Sequence, residues 1–186
     1  MNPIVEDKSM ACNVEIKARV ENLARLRELA LPLGNNTEKL INQKDTFYNA
    51  SEGRLKLREF GDGTGQLIAY SRPDSEGPKT SDYVLSSTDD PESLHKALAR
   101  SVGIRGVVIK ERTLILADRT RIHLDRVANL GDFMELEVVL KENETEEEGM
   151  VVAQNLMRVL EISTDDLVSG AYIDHIEAKG TSAEPS

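Results

Sequence analysis

The chain has 186 residues, enough for one ordinary domain with a proper hydrophobic core. Its 39% hydrophobic and 30% charged residues describe a soluble globular protein, no apolar run nears the roughly 20 residues that span a bilayer, and the single Cys12 excludes an internal disulfide or a multi-cysteine metal site. The formal net charge of −10 argues against general nucleic-acid binding, although a recessed basic pocket can hold a polyanion on an acidic protein.

Met1–Met10 carries no charged-then-apolar signal pattern, so secretion is not expected and the cytoplasm is the default location. Residues 1–11 and 180–186 are polar and aperiodic and read as flexible termini around one domain, 12–179. Asn13–Val20 alternates like a strand. Asn22 then opens a helix whose Leu23, Leu26, Leu29 and Ala30 share a face, closing before Gly34. Strands follow at Lys44–Asn49, Arg54–Phe60 and Gly65–Arg72, with the turn-rich Gly61–Gly65 between the last two. Asp90 before Pro91 suits an N-cap and first helical turn, with Gly103 where that helix ends. Three more strands are expected at Val107–Leu116, Arg119–Val127 and Asp132–Leu140. Thr145 and Glu148 form a capping box for a helix carrying Val152, Leu156, Met157 and Leu160. The run Glu146-Glu147-Glu148 lies in its first turn, where the helix dipole favours carboxylates, and needs no functional explanation. A last helix, about Asp165 to Ala178, carries Leu167, Ala171 and Tyr172. The class is α+β, dominated by antiparallel strands.

Charge is concentrated on one face of many strands. Asn13, Glu15, Lys17 and Arg19 share a face, as do Arg54, Lys56 and Arg58, then Lys110 and Arg112, then Arg119, Arg121, His123 and Asp125, and finally Glu135 and Glu137. For one strand, the ordinary reading is a solvated face. As a set, carboxylates concentrate in the first and last strands and cations in those between. Four amphipathic helices also need a partner. If they cover the outside of a closed sheet, the apolar strand faces point outward to them and the charged faces point inward. An interior lined with Lys and Arg then requires water and an anion, because unpaired buried charge is very costly. Carboxylates in the same cavity call for a divalent cation between them and that anion, and oxygen ligands suit Mg²⁺ or Mn²⁺.

Asn13-Val14-Glu15-Ile16-Lys17-Ala18-Arg19 resembles the Glu-x-Glu-x-Lys signature strand of the CYTH, or triphosphate tunnel metalloenzyme, superfamily. The resemblance continues through Lys56-Leu57-Arg58, Lys110-Glu111-Arg112, Arg121–Val127 and Leu130–Glu137, and runs from about Asn13 to about Ala178. It implies a closed eight-stranded antiparallel β-barrel with helices packed outside, taking a triphosphate lengthwise. It also implies Glu15, Asp125, Glu135 and Glu137 as metal ligands for Mg²⁺ or Mn²⁺. Lys17, Lys56, Arg58, Lys110, Arg112 and Arg121 would hold phosphate, with Arg72 and Lys79 ranked below them. Glu15, Lys17, Glu135 and Glu137 form the catalytic group. Asn13 departs from the signature, standing where its first glutamate usually sits and supplying no charge.

The leading expectation is a metal-dependent triphosphatase acting on inorganic triphosphate or an organic triphosphate such as thiamine triphosphate. A class IV adenylate cyclase converting ATP to cyclic AMP and pyrophosphate is the alternative enzyme. A non-catalytic polyphosphate- or nucleotide-binding domain is the alternative of another class. No membrane or nucleic-acid partner is expected, and a homodimer is left open. His123 reads as a structural hydrogen-bonder, His95 and His175 as surface residues of helices, and Gly61-x-Gly63-x-Gly65 as a hairpin turn rather than a phosphate loop.

Overall fold

A computed structural model of the chain describes residues 13–71 and 82–181. Its strands are β1 (Asn13–Arg19), β2 (Lys39–Tyr48), β3 (Arg54–Phe60), β4 (Gly65–Ser71), β5 (Asp82–Thr88), β6 (Ile104–Ala117), β7 (Thr120–Val127) and β8 (Gly131–Val139). Helices α1 (Leu23–Ala30), α2 (Pro91–Ser101), α3 (Glu146–Val159) and α4 (Tyr172–Thr181) complete the chain. The helix boundaries follow local chemistry. The Asn22 side chain accepts from the Arg25 amide at 3.0 Å, and Asp90 accepts from Ser93 ahead of Pro91. Gly103, at φ +79°, turns the chain after α2. Both halves of the Thr145–Glu148 capping box form. No helix among the described residues is long and apolar enough to cross a membrane.

The eight strands make one antiparallel sheet in the order β1-β8-β7-β6-β2-β3-β4-β5. Six ladders separate β1 from β4, which in a flat sheet would put them about 29 Å apart. Yet Asn13 and Glu15 of β1 line the same cavity as Ile68 and Tyr70 of β4. The sheet is therefore rolled, with its charged face concave. The expected closed barrel is not completed by hydrogen bonds: no ladder joins β1 to β5 among the described residues. Part of the β1 edge is instead taken by the segment before α4, where Ala18 bridges Leu167 and the Val168 amide donates to the Lys17 carbonyl at 3.0 Å.

Apolar strand faces of β1, β7 and β8 point outward, as expected if helices cover the outside of the sheet. Val14, Ile16, Ile122, Leu124, Met134, Leu136 and Val138 are buried against Leu26 and Ala30 of α1 and Ala153 and Met157 of α3. Burying such side chains stabilises the fold by about 1.5–3 kcal/mol each, so this layer fixes the backbone that carries the charges. Helix α4 departs from the expected outer layer. Its Tyr172 and Ile173 pack with Phe47, Val108, Val127 and Phe133, all on the concave side, and plug one end of the roll. A side chain at Gly106 would bring its Cβ within 2.5 Å of Ile173 Cδ1, so a glycine admits the plug.

Two boundaries differ most from expectation, and one strand was not expected. Strand β2 begins at Lys39 rather than Lys44. Helix α4 begins at Tyr172 rather than Asp165, because the intervening residues form the 3₁₀ turn Thr164–Asp166 and then run along β1. Strand β5 had no alternating signal, since it is an edge strand: Val84 and Leu85 are adjacent, face opposite sides and are 68% and 49% exposed.

Candidate active site

The concave face holds a cavity of about 310 Å³, at the lower end of small-molecule sites. Strand alternation aims its charges, and the ladders set them side by side. Six cations line it (Lys17, Lys56, Arg58, Lys110, Arg112 and Arg121) against four carboxylates, Glu15, Asp45, Glu135 and Glu137. An acidic protein thus carries a locally cationic recess, as a polyanion site requires.

Two buried aspartates anchor the cations. Asp45 on β2 accepts Lys56 Nζ at 2.9 Å and Arg58 Nε and Nη2 at 2.8 and 2.7 Å. Asp125 on β7 is wholly buried and accepts Lys110 Nζ at 3.0 Å, Arg112 Nε and Nη2 at 2.6 and 2.5 Å, and the Tyr172 hydroxyl at 3.0 Å. Burial alone would push the Asp125 carboxyl up. Hydrogen bonds from Arg112 and the charge of Lys110 outweigh it and hold the group below the usual carboxylate range. Burial likewise raises Asp45, and Lys56 and Arg58 more than reverse it. Lys56 itself is pushed down to about 8, chiefly by burial, against the opposing pull of Asp45. Tyr172 is held far above its ordinary value, first by burial and then by Glu135 and Asp125, so it remains a donor. Its ring also lies under Lys17 Nζ at 4.4 Å and Lys110 Nζ at 5.1 Å.

Opposite the Lys56–Arg58 side stands an acidic wall. Glu135 Oε1 meets Lys17 Nζ at 3.2 Å, and Oε2 meets Arg112 Nη2 at 2.5 Å. Burial opposes its charge, but Lys17 and Arg112 hold the carboxyl well below its ordinary value. Glu137 contacts Arg121 at 3.3 Å and is ladder partner to Glu15 across β1–β8. His123, Glu135 and Glu137 each offer a ligand atom, all within 4.8 Å of one another. His123 Nδ1 lies 3.6 Å from Glu137 Oε1 and 3.7 Å from Glu135 Oε2, beyond hydrogen-bond distance, and is buried facing these two carboxylates, which pair with it only when the ring is protonated. That orphaned nitrogen beside two carboxylates fits a divalent cation in both donor set and spacing.

The structure brings nine of the expected site residues to one cavity: Glu15, Lys17, Lys56, Arg58, Lys110, Arg112, Arg121, Glu135 and Glu137. Asp125 does not join the His123–Glu135–Glu137 group; its four hydrogen bonds go to Lys110, Arg112 and Tyr172. Arg72 and Lys79 lie outside the described residues. Asp45, Tyr172 and the ligand-like placement of His123 were not expected. Asp45 shares a strand face with Phe47, a parity readable in sequence. Tyr172 comes from a helix whose concave position no strand pattern encodes.

A family model for the CYTH domain matches residues 11–172. A Methanocaldococcus jannaschii protein, provisionally named an adenylate cyclase, is 22% identical over 171 residues, spanning 87% of this chain and 96% of that one. Among solved structures, a Pyrococcus horikoshii protein superposes with a TM-score of 0.76 at 24% identity, over 87% of this chain and 98% of its own. A Vibrio parahaemolyticus protein, also provisionally named an adenylate cyclase, gives 0.69 at 19% identity, over 90% and 98%. With the fold, the recess and the family match in agreement over most of its length, the chain belongs to the CYTH domain family.

Proposed function

We propose that the protein is a divalent-metal-dependent triphosphatase of the cytoplasm, hydrolysing inorganic triphosphate or a small organic triphosphate. The observation that carries this reading is the meeting of a cation cluster with Glu135 and Glu137 in one cavity, with His123 buried beside the two glutamates. Arg58 and Arg112 present planar guanidinium groups, which match phosphate oxygens through paired hydrogen bonds, and Lys17, Lys56 and Lys110 add point charges. Asp45 and Asp125 hold these heads in place before substrate arrives, so little reorganisation is needed at the moment of reaction. Glu135, Glu137 and His123 would hold the cation, with Glu15 beside Glu137 on the neighbouring strand. A bound Mg²⁺ or Mn²⁺ would polarise a phosphoryl oxygen and acidify water. The α4 plug closes one end with apolar side chains, which limits bulk water there. Phosphoryl transfer is largely positioning and charge stabilisation, so no covalent nucleophile is required.

A second reading, cyclisation of ATP, is favoured by the names of two relatives and by one local feature. Ile41 is ladder partner to Arg112, and Phe60 to Gln43, so two apolar side chains flank the phosphate clamp on its own face. Gln43 is buried, and its Oε1 has no partner. An organic group on a triphosphate would find apolar contact there. Turnover of triphosphate, thiamine triphosphate and ATP with Mg²⁺ or Mn²⁺, reading orthophosphate, pyrophosphate and cyclic AMP separately, decides between the two. Orthophosphate from triphosphate is the expected result. Stoichiometric cyclic AMP and pyrophosphate from ATP, with little triphosphate cleavage, reverses the order.

A further inference from the structure

An acidic wall alone suits Mg²⁺ and Mn²⁺ equally, but a nitrogen is buried beside this one. His123 is 5% exposed, and its Nδ1 has no hydrogen-bond partner. The nitrogen faces Glu137 Oε1 at 3.6 Å and Glu135 Oε2 at 3.7 Å. Ligand atoms about 2.1 Å from an octahedral ion stand about 3.0 Å apart when adjacent and about 4.2 Å when opposite. Both observed separations fall inside that interval, whereas neither is short enough for a hydrogen bond. A buried imidazole nitrogen left unmade in this way costs the full desolvation of the group, unless something binds there.

We infer that His123 Nδ1 is a direct metal ligand, making this a mixed nitrogen–oxygen site that takes a first-row transition dication such as Mn²⁺ in preference to Mg²⁺. The inference rests on the metal-dependent reading above and deepens it. Ligation through Nδ1 places the ring proton on Nε2. Mg²⁺ demands oxygen ligands and keeps its waters, so an imidazole adds little to its affinity. Transition dications accept imidazole readily, and Mn²⁺ also accepts the two carboxylates. The consequence is selectivity set by one residue of β7, from a side chain that its sequence pattern marks only as facing inward.

The test uses the full chain, stripped of metal and titrated with Mn²⁺, and reads electron spin-echo modulation rather than turnover. Nitrogen coupling is expected at bound Mn²⁺, and it should change to a ¹⁵N pattern when the three histidines alone carry ¹⁵N. His123→Asn should abolish the coupling and weaken Mn²⁺ binding about tenfold or more, while Mg²⁺ affinity shifts by less than about threefold. If the variant fails to fold, His95→Asn and His175→Asn in the labelled chain decide: coupling that survives both leaves His123 as its source, and coupling lost in either overturns the inference. Bound Mn²⁺ without histidine coupling overturns the inference and leaves an oxygen-only metal site standing. Coupling that persists in folded His123→Asn assigns it to His95 or His175 and also overturns it. Absence of Mn²⁺ binding removes the metal reading itself.

Discussion

Replacing Asp125 by Asn separates the anchoring role of this carboxylate from metal binding. The side chain is wholly buried and accepts three charge-assisted hydrogen bonds from Lys110 and Arg112 and one from Tyr172. Asparagine keeps the volume but offers one acceptor oxygen, and it turns an amide N–H toward a lysine or arginine that can only donate. The variant also leaves Lys110 and Arg112 with one fewer counter-charge. Removing one partner of a buried ion pair costs about 3–5 kcal/mol. For a chain of this length, that corresponds to a fall of about 6–20 °C in melting temperature. Triphosphate in chelator, at about 100 times its Kd, should raise the wild-type midpoint by an amount set by about 2.7 kcal/mol. The same addition should stabilise Asp125→Asn less, because Lys110 and Arg112 are no longer held in place before the ligand arrives. Differential scanning calorimetry of both proteins, with and without triphosphate, measures all four midpoints. A variant melting within about 2 °C of wild type, or one that triphosphate stabilises as much as it stabilises wild type, would refute the anchoring argument. A large loss of Mn²⁺ affinity in the folded variant would restore Asp125 to the metal ligands.

Arg58→Ala should cut the triphosphate-induced rise in melting temperature by half or more, read by the same calorimetry; an unchanged rise would make Arg58 a bystander to ligand. Burial lowers Lys56 to about 8, so the free protein sheds this proton as pH rises through that value, and a bound polyanion should restore it. Titration calorimetry in two buffers of different ionisation enthalpy should therefore show proton uptake on triphosphate binding near pH 8.5 and little at pH 6.5. The sign for stability runs the same way: the fold disfavours charged Lys56, so this group's contribution improves between about pH 8 and 10.5. Thr145→Ala removes the side-chain acceptor of the α3 capping box and should cost about 1 kcal/mol, or about 2–4 °C, with turnover per folded molecule unchanged.

The parts of the fold that were legible in sequence are those fixed within one element. Asn22, Asp90 and Thr145 bond to amides three residues on, so their caps are written locally. The inward charge of β1, β7 and β8 follows from alternation and from apolar opposite faces that α1 and α3 cover, while β3 lies against α2. What was not legible depends on register between strands. Asp45 stands across from Arg58, and Arg112 across from Asp125, as direct ladder partners. Each strand shows only which way its own residues face, so the ion pairs were invisible until the ladders were known. The same holds for His123, whose ladder partner is Glu135. Edge strand β5 and helix α4 escaped for a different reason: one buries neither Val84 nor Leu85, and the other turns its apolar face to the inside of the roll.

The arrangement also explains how a cavity with six cations can exist before its ligand arrives. Wholly unpaired, such charges would oppose folding by far more than the few kcal/mol that separate native from unfolded chains. Asp45 and Asp125 remove most of that penalty, but each sits at the base of its cations and accepts through one side of the guanidinium fork. Arg58 and Arg112 therefore retain donors for a second partner. Glu135 currently takes one of those from Arg112 and meets Lys17 through its other oxygen. A cation at the acidic wall and an anion among the arginines would each satisfy groups that otherwise pair with one another. Binding of the two is then positively coupled through Glu135, and each should be tighter in the presence of the other by the same factor.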